Sequence, residues 1–165
     1  MAPKTLIVLR HAKSSWKTQD PDLRRPLSER GTRDAVVAGE ILSGYPLDVV
    51  LCSSATRAQQ TWQCAQLGGA RCDDVRVSEA IYHAWPNEIL TELNELPETA
   101  LTAVVIGHEP TMGDLIATLA KPGELVDQVA LRFPTAGLAV LTYQGAWKTL
   151  GPGKALLRRF DVPRG

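Results

Sequence analysis

Three short apolar runs constrain the fold of this 165-residue chain more than any other feature. Residues 5–9 (TLIVL), 47–51 (LDVVL) and 101–106 (LTAVVI) are rich in β-branched side chains and nearly continuous rather than alternating. A strand with one face in water alternates; a strand apolar at both parities needs cover on both faces. The runs therefore predict central parallel strands between helical layers. Helices are expected between them. Residues 27–43 offer an apolar stripe of Ala35, Val36, Ala38, Gly39, Ile41 and Leu42, with Ser28 as cap and Gly44 and Pro46 as stop. Ser54 is expected to cap a second helix through Leu67, ended by Gly68-Gly69, and residues 87–96 and 111–120 read as two more. Residues 138–143 and 147–150 flank Gln144-Gly145-Ala146 and predict a hairpin closing one sheet edge. With no repeat or linker in view, the expected architecture is a single α/β domain over residues 1–165. It should be a three-layer α/β/α sandwich with a mostly parallel central sheet.

Composition narrows the function classes. Eighteen Lys and Arg balance eighteen Asp and Glu, so nothing in the overall charge draws the chain to nucleic acid or an anionic membrane, and any anion must be held locally. Cys52, Cys64 and Cys72 show no CxxC spacing, and an odd count suits a reducing compartment. The first apolar run is too short for a signal-peptide core or a membrane span, so a cytoplasmic location is expected.

Each central run ends in polar chemistry. Leu9 leads into Arg10-His11, Leu51-Cys52 into Ser53-Ser54-Ala55-Thr56-Arg57, and Ile106-Gly107 into His108-Glu109. In open α/β sheets, ligands bind beyond the carboxyl ends of parallel strands, so two arginines and two of the three histidines are expected at one edge. Arg10 and Arg57 together can neutralise a phosphoryl group carrying about two negative charges. A histidine beside them is disfavoured in its protonated form, and a neutral imidazole is a competent nucleophile toward phosphorus. His11, directly after a strand and an arginine, is the candidate nucleophile, and His108 a donor to the phosphoryl oxygens in the transition state.

The runs VLRHAKSSW (8–16), SSATRAQQT (53–61) and VIGHEP (105–110) together closely resemble the histidine phosphatase superfamily, branch 1, whose fold is phosphoglycerate mutase-like. The short chain, RHAKS in the first motif, and the run from Arg25 to Gly31 (RPLSERG) are similar to its SixA-type phosphohistidine phosphatases. The resemblance implies an enzyme that forms a phosphohistidine on His11, with Arg10, Arg57 and His108 as the rest of the phosphate pocket. It implies no cofactor. It also places an acid for the leaving group at Glu79, in the run Val77-Ser78-Glu79. The expected substrate is a phosphohistidine on a partner protein; the alternatives are a small phosphate ester, such as a sugar phosphate or nucleotide, or a silent module that only binds phosphorylated partners.

Other residues carry weaker signals. A hydroxyl at Ser53 could touch phosphate, although Ser53 and Ser54 also read as helix caps. Lys17, with Lys13, can steer an acidic substrate. The remaining early charges, Arg24, Arg25, Arg30 and Arg33 with Asp20, Asp22, Glu29 and Asp34 between them, read as a solvated mixed face. His83 lies outside the motifs and reads as structural or exposed, Cys52 as an apolar filler, and no tryptophan is assigned to substrate stacking. With three histidines at no ligand spacing and no aspartate pair, no metal site is expected, so activity should resist EDTA.

Overall fold

The computed structural model describes residues 2–165. Six strands form one sheet in the order β3-β2-β4-β1-β5-β6: β1 (Lys4–Arg10), β2 (Val49–Ser53), β3 (Val75–Ser78), β4 (Thr102–Gly107), β5 (Leu138–Tyr143) and β6 (Leu156–Asp161). The first four are parallel, and β5 and β6 add antiparallel to the β1 side. Helices α1 (Glu29–Leu42) and α2 (Thr56–Leu67) follow β1 and β2. The short α3 (Glu79–Tyr82) follows β3, α4 (Pro86–Asn94) precedes β4, and α5 (Thr111–Leu119) and α6 (Glu124–Leu131) lie between β4 and β5.

The continuous apolar runs have the expected cause. Leu6 and Val8 of β1 pack into one core with α4, α5 and α6; Ile7 and Leu9 pack into the other with α1 and α2. The same split separates Val49 and Leu51 from Val50 and Cys52, and Val105 from Val104 and Ile106. Each such fully buried aliphatic side chain contributes about 1.5–3 kcal/mol relative to exposure. The three-layer sandwich thus covers both parities.

Local expectations met mixed outcomes. Ser28 caps α1, its Oγ accepting from the Gly31 amide at 3.0 Å. Ser54 does not cap α2: the N-cap is Ala55, without a side-chain bond, and the Ser54 hydroxyl is buried unpaired. The hairpin is also different. Trp147–Thr149 forms a 3-10 turn, and β5 pairs with β6 instead, because Trp147 is buried in the core with its Nε1 donating to the Ala100 carbonyl at 2.5 Å. Among the described residues no helix is long and apolar enough to cross a membrane.

Candidate active site

Strand register builds the site. Leu9 of β1 lies opposite Ile106 of β4, and Cys52 of β2 lies opposite the same Ile106, so the three strands end flush. Adjacent strands are about 4.8 Å apart, so the residues that follow emerge within about 10 Å of one another. Arg10, His11, Arg57 and His108 all line one pocket of about 230 Å³, together with Lys13, Ser14, Trp16, Arg25, Glu109 and Thr135.

His11 is held by main chain on both sides, its amide donating to Gly107 at 3.0 Å and its carbonyl accepting from Ala136 at 3.0 Å. Ala136 adopts a left-handed backbone (φ 60°) to make that contact. The imidazole Nδ1 lies 2.7 Å from the Ala12 carbonyl, which can only accept, so Nδ1 carries the proton and Nε2 keeps its lone pair. Burial, reinforced by His108, Arg57 and Arg10, lowers the His11 pKa to about 3. The ring is therefore neutral at pH 7. Thr61, wholly buried on α2, accepts from the Ala12 amide at 2.9 Å and donates to the Arg57 carbonyl at 2.7 Å, locking the turn after β1 onto α2.

His108 packs 5.1 Å from His11 between ring centroids. An Arg57 Nη2 lies 3.4 Å from its Nδ1, a donor facing an acceptor, so its Nε2 donates to Ser53 Oγ at 2.7 Å. Burial and the Arg57 charge lower the His108 pKa to about 4. Both guanidinium groups are anchored at their tips, the half-buried Arg10 on the Phe133 carbonyl at 3.1 Å and the buried Arg57 on the Asp22 carbonyl at 2.7 Å. Yet the Nε atoms of Arg10 and Arg57 are buried without a partner. Two permanent cations lining one pocket beside a neutral imidazole make a cradle for a tetrahedral oxyanion.

Asp22, in the 3-10 turn Asp22–Arg24, organises the rim. Its carboxylate meets Arg25 at 3.2 Å and Arg57 at 3.2 Å and accepts a short hydrogen bond from the Tyr82 hydroxyl. That hydroxyl and the two arginines hold its pKa down at about 2. Tyr82 in turn lies edge-on to His108, 5.5 Å between centroids.

The motif residues converge, while three weaker candidates sit elsewhere. Ser53 is wholly buried behind His108, where its hydroxyl orients the ring and also accepts from the Ala55 amide at 3.2 Å. Lys17 is exposed and lines a neighbouring groove. Glu79 opens α3 at the same sheet edge but is exposed and outside the pocket. His83 is exposed, its ring tilted against that of Tyr82 with 4.1 Å between centroids. Cys52 is buried with its thiol pushed up to about 12 by desolvation, as an inert filler requires.

Two pocket residues were not singled out from sequence. Arg25, read as part of a solvated face, is buried; it donates to Ser14 Oγ and stacks on the Trp16 ring at 3.7 Å. Its signal was the proline that follows it, which pins the chain just before α1. Glu109 is the carboxyl that lines the pocket; burial raises its pKa, and its Oε1 accepts from the Gly113 amide at 2.5 Å.

Comparison with known proteins decides the family. Residues 6–100 match the model of the histidine phosphatase superfamily, branch 1. The chain belongs to this superfamily. A Mycobacterium tuberculosis relative, an uncharacterized protein, is 38% identical over 162 residues, covering 94% of this chain and 100% of its own. Among solved structures, a Nakamurella multipartitia protein with the provisional designation phosphohistidine phosphatase SixA superposes with a TM-score of 0.88 and 32% identity, covering 99% of this chain and 98% of that one. The protein histidine phosphatase SixA bound to tungstate shares the fold, with a TM-score of 0.80 and 23% identity over 96% and 97% of the two chains. This histidine phosphatase is thus an enzyme of phosphoryl chemistry, with a SixA-like, phosphoglycerate mutase-like fold.

Proposed function

We propose that this histidine phosphatase hydrolyses phosphohistidine on a partner protein through a covalent intermediate on His11. The observation that carries the reading is the free Nε2 lone pair of a neutral, buried imidazole that shares its pocket with two guanidinium groups. In the first step the Nε2 lone pair attacks phosphorus while the P–N bond to the substrate imidazole breaks. In the second, water attacks the His11 phosphoramidate and releases phosphate, and the Nε2 lone pair is restored. Arg10 and Arg57 neutralise the transferring group throughout. His108 stands ready to donate to a phosphoryl oxygen once a dianion displaces the Arg57 contact and raises its basicity, with Ser53 holding the ring.

Likeness to SixA-designated proteins supports the P–N substrate, as does the small, open pocket, which takes a phosphoryl group presented on a larger molecule. The leaving imidazole needs a proton, and Glu109 lines the pocket whereas Glu79 is exposed outside it. Charge neutralisation by guanidinium groups supports a metal-independent reaction; among the described residues no group of three or more His, Cys, Asp or Glu is gathered as metal ligands are.

The test is a panel of phosphohistidine peptide, sugar phosphates and nucleotides, run on wild type and His11→Ala. We expect phosphohistidine to be the best substrate, loss of at least about 10³-fold in the variant, and acid-labile ³²P trapped on His11 of the wild type. Preference for a small ester would overturn the substrate, and undiminished His11→Ala turnover the mechanism. Activity abolished by EDTA and restored by Mg²⁺ would overturn metal independence.

A further inference from the structure

The catalytic pocket opens onto a second and larger cavity. A groove of about 660 Å³ runs between the loop after β1 and the start of α1, and it shares Lys13, Ser14 and Trp16 with the catalytic pocket. Its charged lining is one-sided: Lys13, Lys17, Arg30 and Arg33 face it, against Glu29 alone. In a chain whose charges balance overall, that imbalance has a structural origin. Two of the acidic residues interleaved with these cations in sequence are turned to other uses. Asp22 binds Arg25, Arg57 and Tyr82, and Asp34 is buried between Arg30 at 3.4 Å and Arg164 at 3.5 Å. Lys13, Lys17 and Arg33 are exposed and make no ion pair among the described residues.

Trp16 stands where the two cavities meet, 78% exposed, its ring fixed from behind by the Arg25 guanidinium. A held, exposed indole gives a flat apolar platform at low entropic cost. A phosphoryl group alone fits the catalytic pocket; a chain carrying it must leave past Trp16 and over the cations.

From this arrangement we infer that the groove is a docking site for an acidic segment of the phosphorylated partner protein, flanking its phosphohistidine. The inference rests on the phosphohistidine reading and deepens it by stating which partners are accepted. An extended acidic peptide matches the groove in sign and extent, whereas a single further phosphate would use a fraction of it. Exposed complementary charges act mainly through encounter rate and partner choice, so the effect belongs in kcat/KM and must be sensitive to salt.

Three substrates test it: free phosphohistidine, a phosphohistidine peptide flanked by glutamates, and the same peptide with glutamines. Wild type is expected to favour the glutamate peptide about tenfold in kcat/KM at low salt, and by less than about threefold in 0.5 M NaCl. Arg33→Glu should abolish most of that preference while leaving turnover of free phosphohistidine within about twofold; Lys17→Glu combined with it should bring the ratio to parity or below. Equal wild-type rates on the two peptides, or a preference that survives in the double variant, would overturn the docking site. If none of the three substrates is turned over, the catalytic reading fails instead. The groove is then judged by anisotropy of the unphosphorylated glutamate peptide: salt-sensitive binding weakened by Arg33→Glu supports it, and absence of binding overturns it. Inhibition by pyrophosphate far stronger than by phosphate, lost in Arg33→Glu, would make the occupant a small polyanion and overturn the protein partner.

Discussion

At the scale of single residues, the two histidines are neutral for partly different reasons. His11 is desolvated and tied to a carbonyl; His108 is desolvated and faces a guanidinium. The carboxyls divide in the same way. Glu109→Gln is expected to lower kcat/KM about 10²-fold on an alkyl phosphate, whose leaving group needs a proton, and little on p-nitrophenyl phosphate. Glu79→Gln should stay within about twofold on both, and the reverse pattern would return the acid to Glu79. Asp22→Asn should loosen Arg57 and Tyr82 together and lower kcat/KM roughly tenfold, mostly through KM, since the Asp22 carbonyl still anchors one guanidinium nitrogen. Arg10, His11, Arg57 and His108 were legible because each stands at or shortly after the end of a central strand in a recognisable run. Arg25 and Glu109 were not, because burial decides their role, and an arginine among interleaved charges reads as solvated until the fold covers it. The fate of Thr61 was hidden for the same reason: nothing in a helical threonine says that it bonds the Ala12 amide across 49 residues.

At the scale of elements, α1, α2, α4, α5 and the three central strands were readable from caps and parity, whereas α3, α6 and the sheet edges were not. β3 is only four residues long and largely exposed, so its pattern lacks the continuous apolar signature of β2. The β5 partner was misplaced because residues 147–150 look strand-like, whereas burying Trp147 required a 3-10 turn and moved pairing on to Leu156–Asp161. Within the α1 and α2 pair, Gly39 does what an apolar stripe does not reveal. A Cβ built there would lie 1.9 Å from the Ala65 carbonyl oxygen, so the two helices touch backbone to backbone. Gly39→Ala gains about 1 kcal/mol of helix propensity, but overpacking costs about 1–3 kcal/mol, and a rigid helix backbone as the obstacle puts the cost at the upper end. A net loss of about 2 kcal/mol is expected in urea unfolding, with some loss of activity because α2 carries Arg57.

At the scale of the whole molecule, the site taxes stability in acid. Unfolded, His11 titrates near its ordinary 6.5; folded, near 3. Between these values the unfolded chain holds a proton that the folded one refuses, so stability is complete above about pH 6.5 and declines as pH falls toward 3. His108, with a folded pKa of about 4, adds its own loss over the same range and is common to wild type and a His11 variant, whereas the Asp22 carboxylate, with a folded pKa near 2, loses its contribution only below about pH 4. Wild type should therefore lose about 2 kcal/mol more than His11→Gln between pH 7.5 and pH 5 in denaturant titrations; equal losses would show that the buried imidazole is not the cause. The Ala12 carbonyl that claims the Nδ1 proton leaves a chemical signature as well. On the proposed mechanism only one ring nitrogen of His11 is free to accept phosphorus, so the trapped enzyme is expected to carry the tele (3-phospho) isomer, and an antibody raised against the pros form should be blind to it.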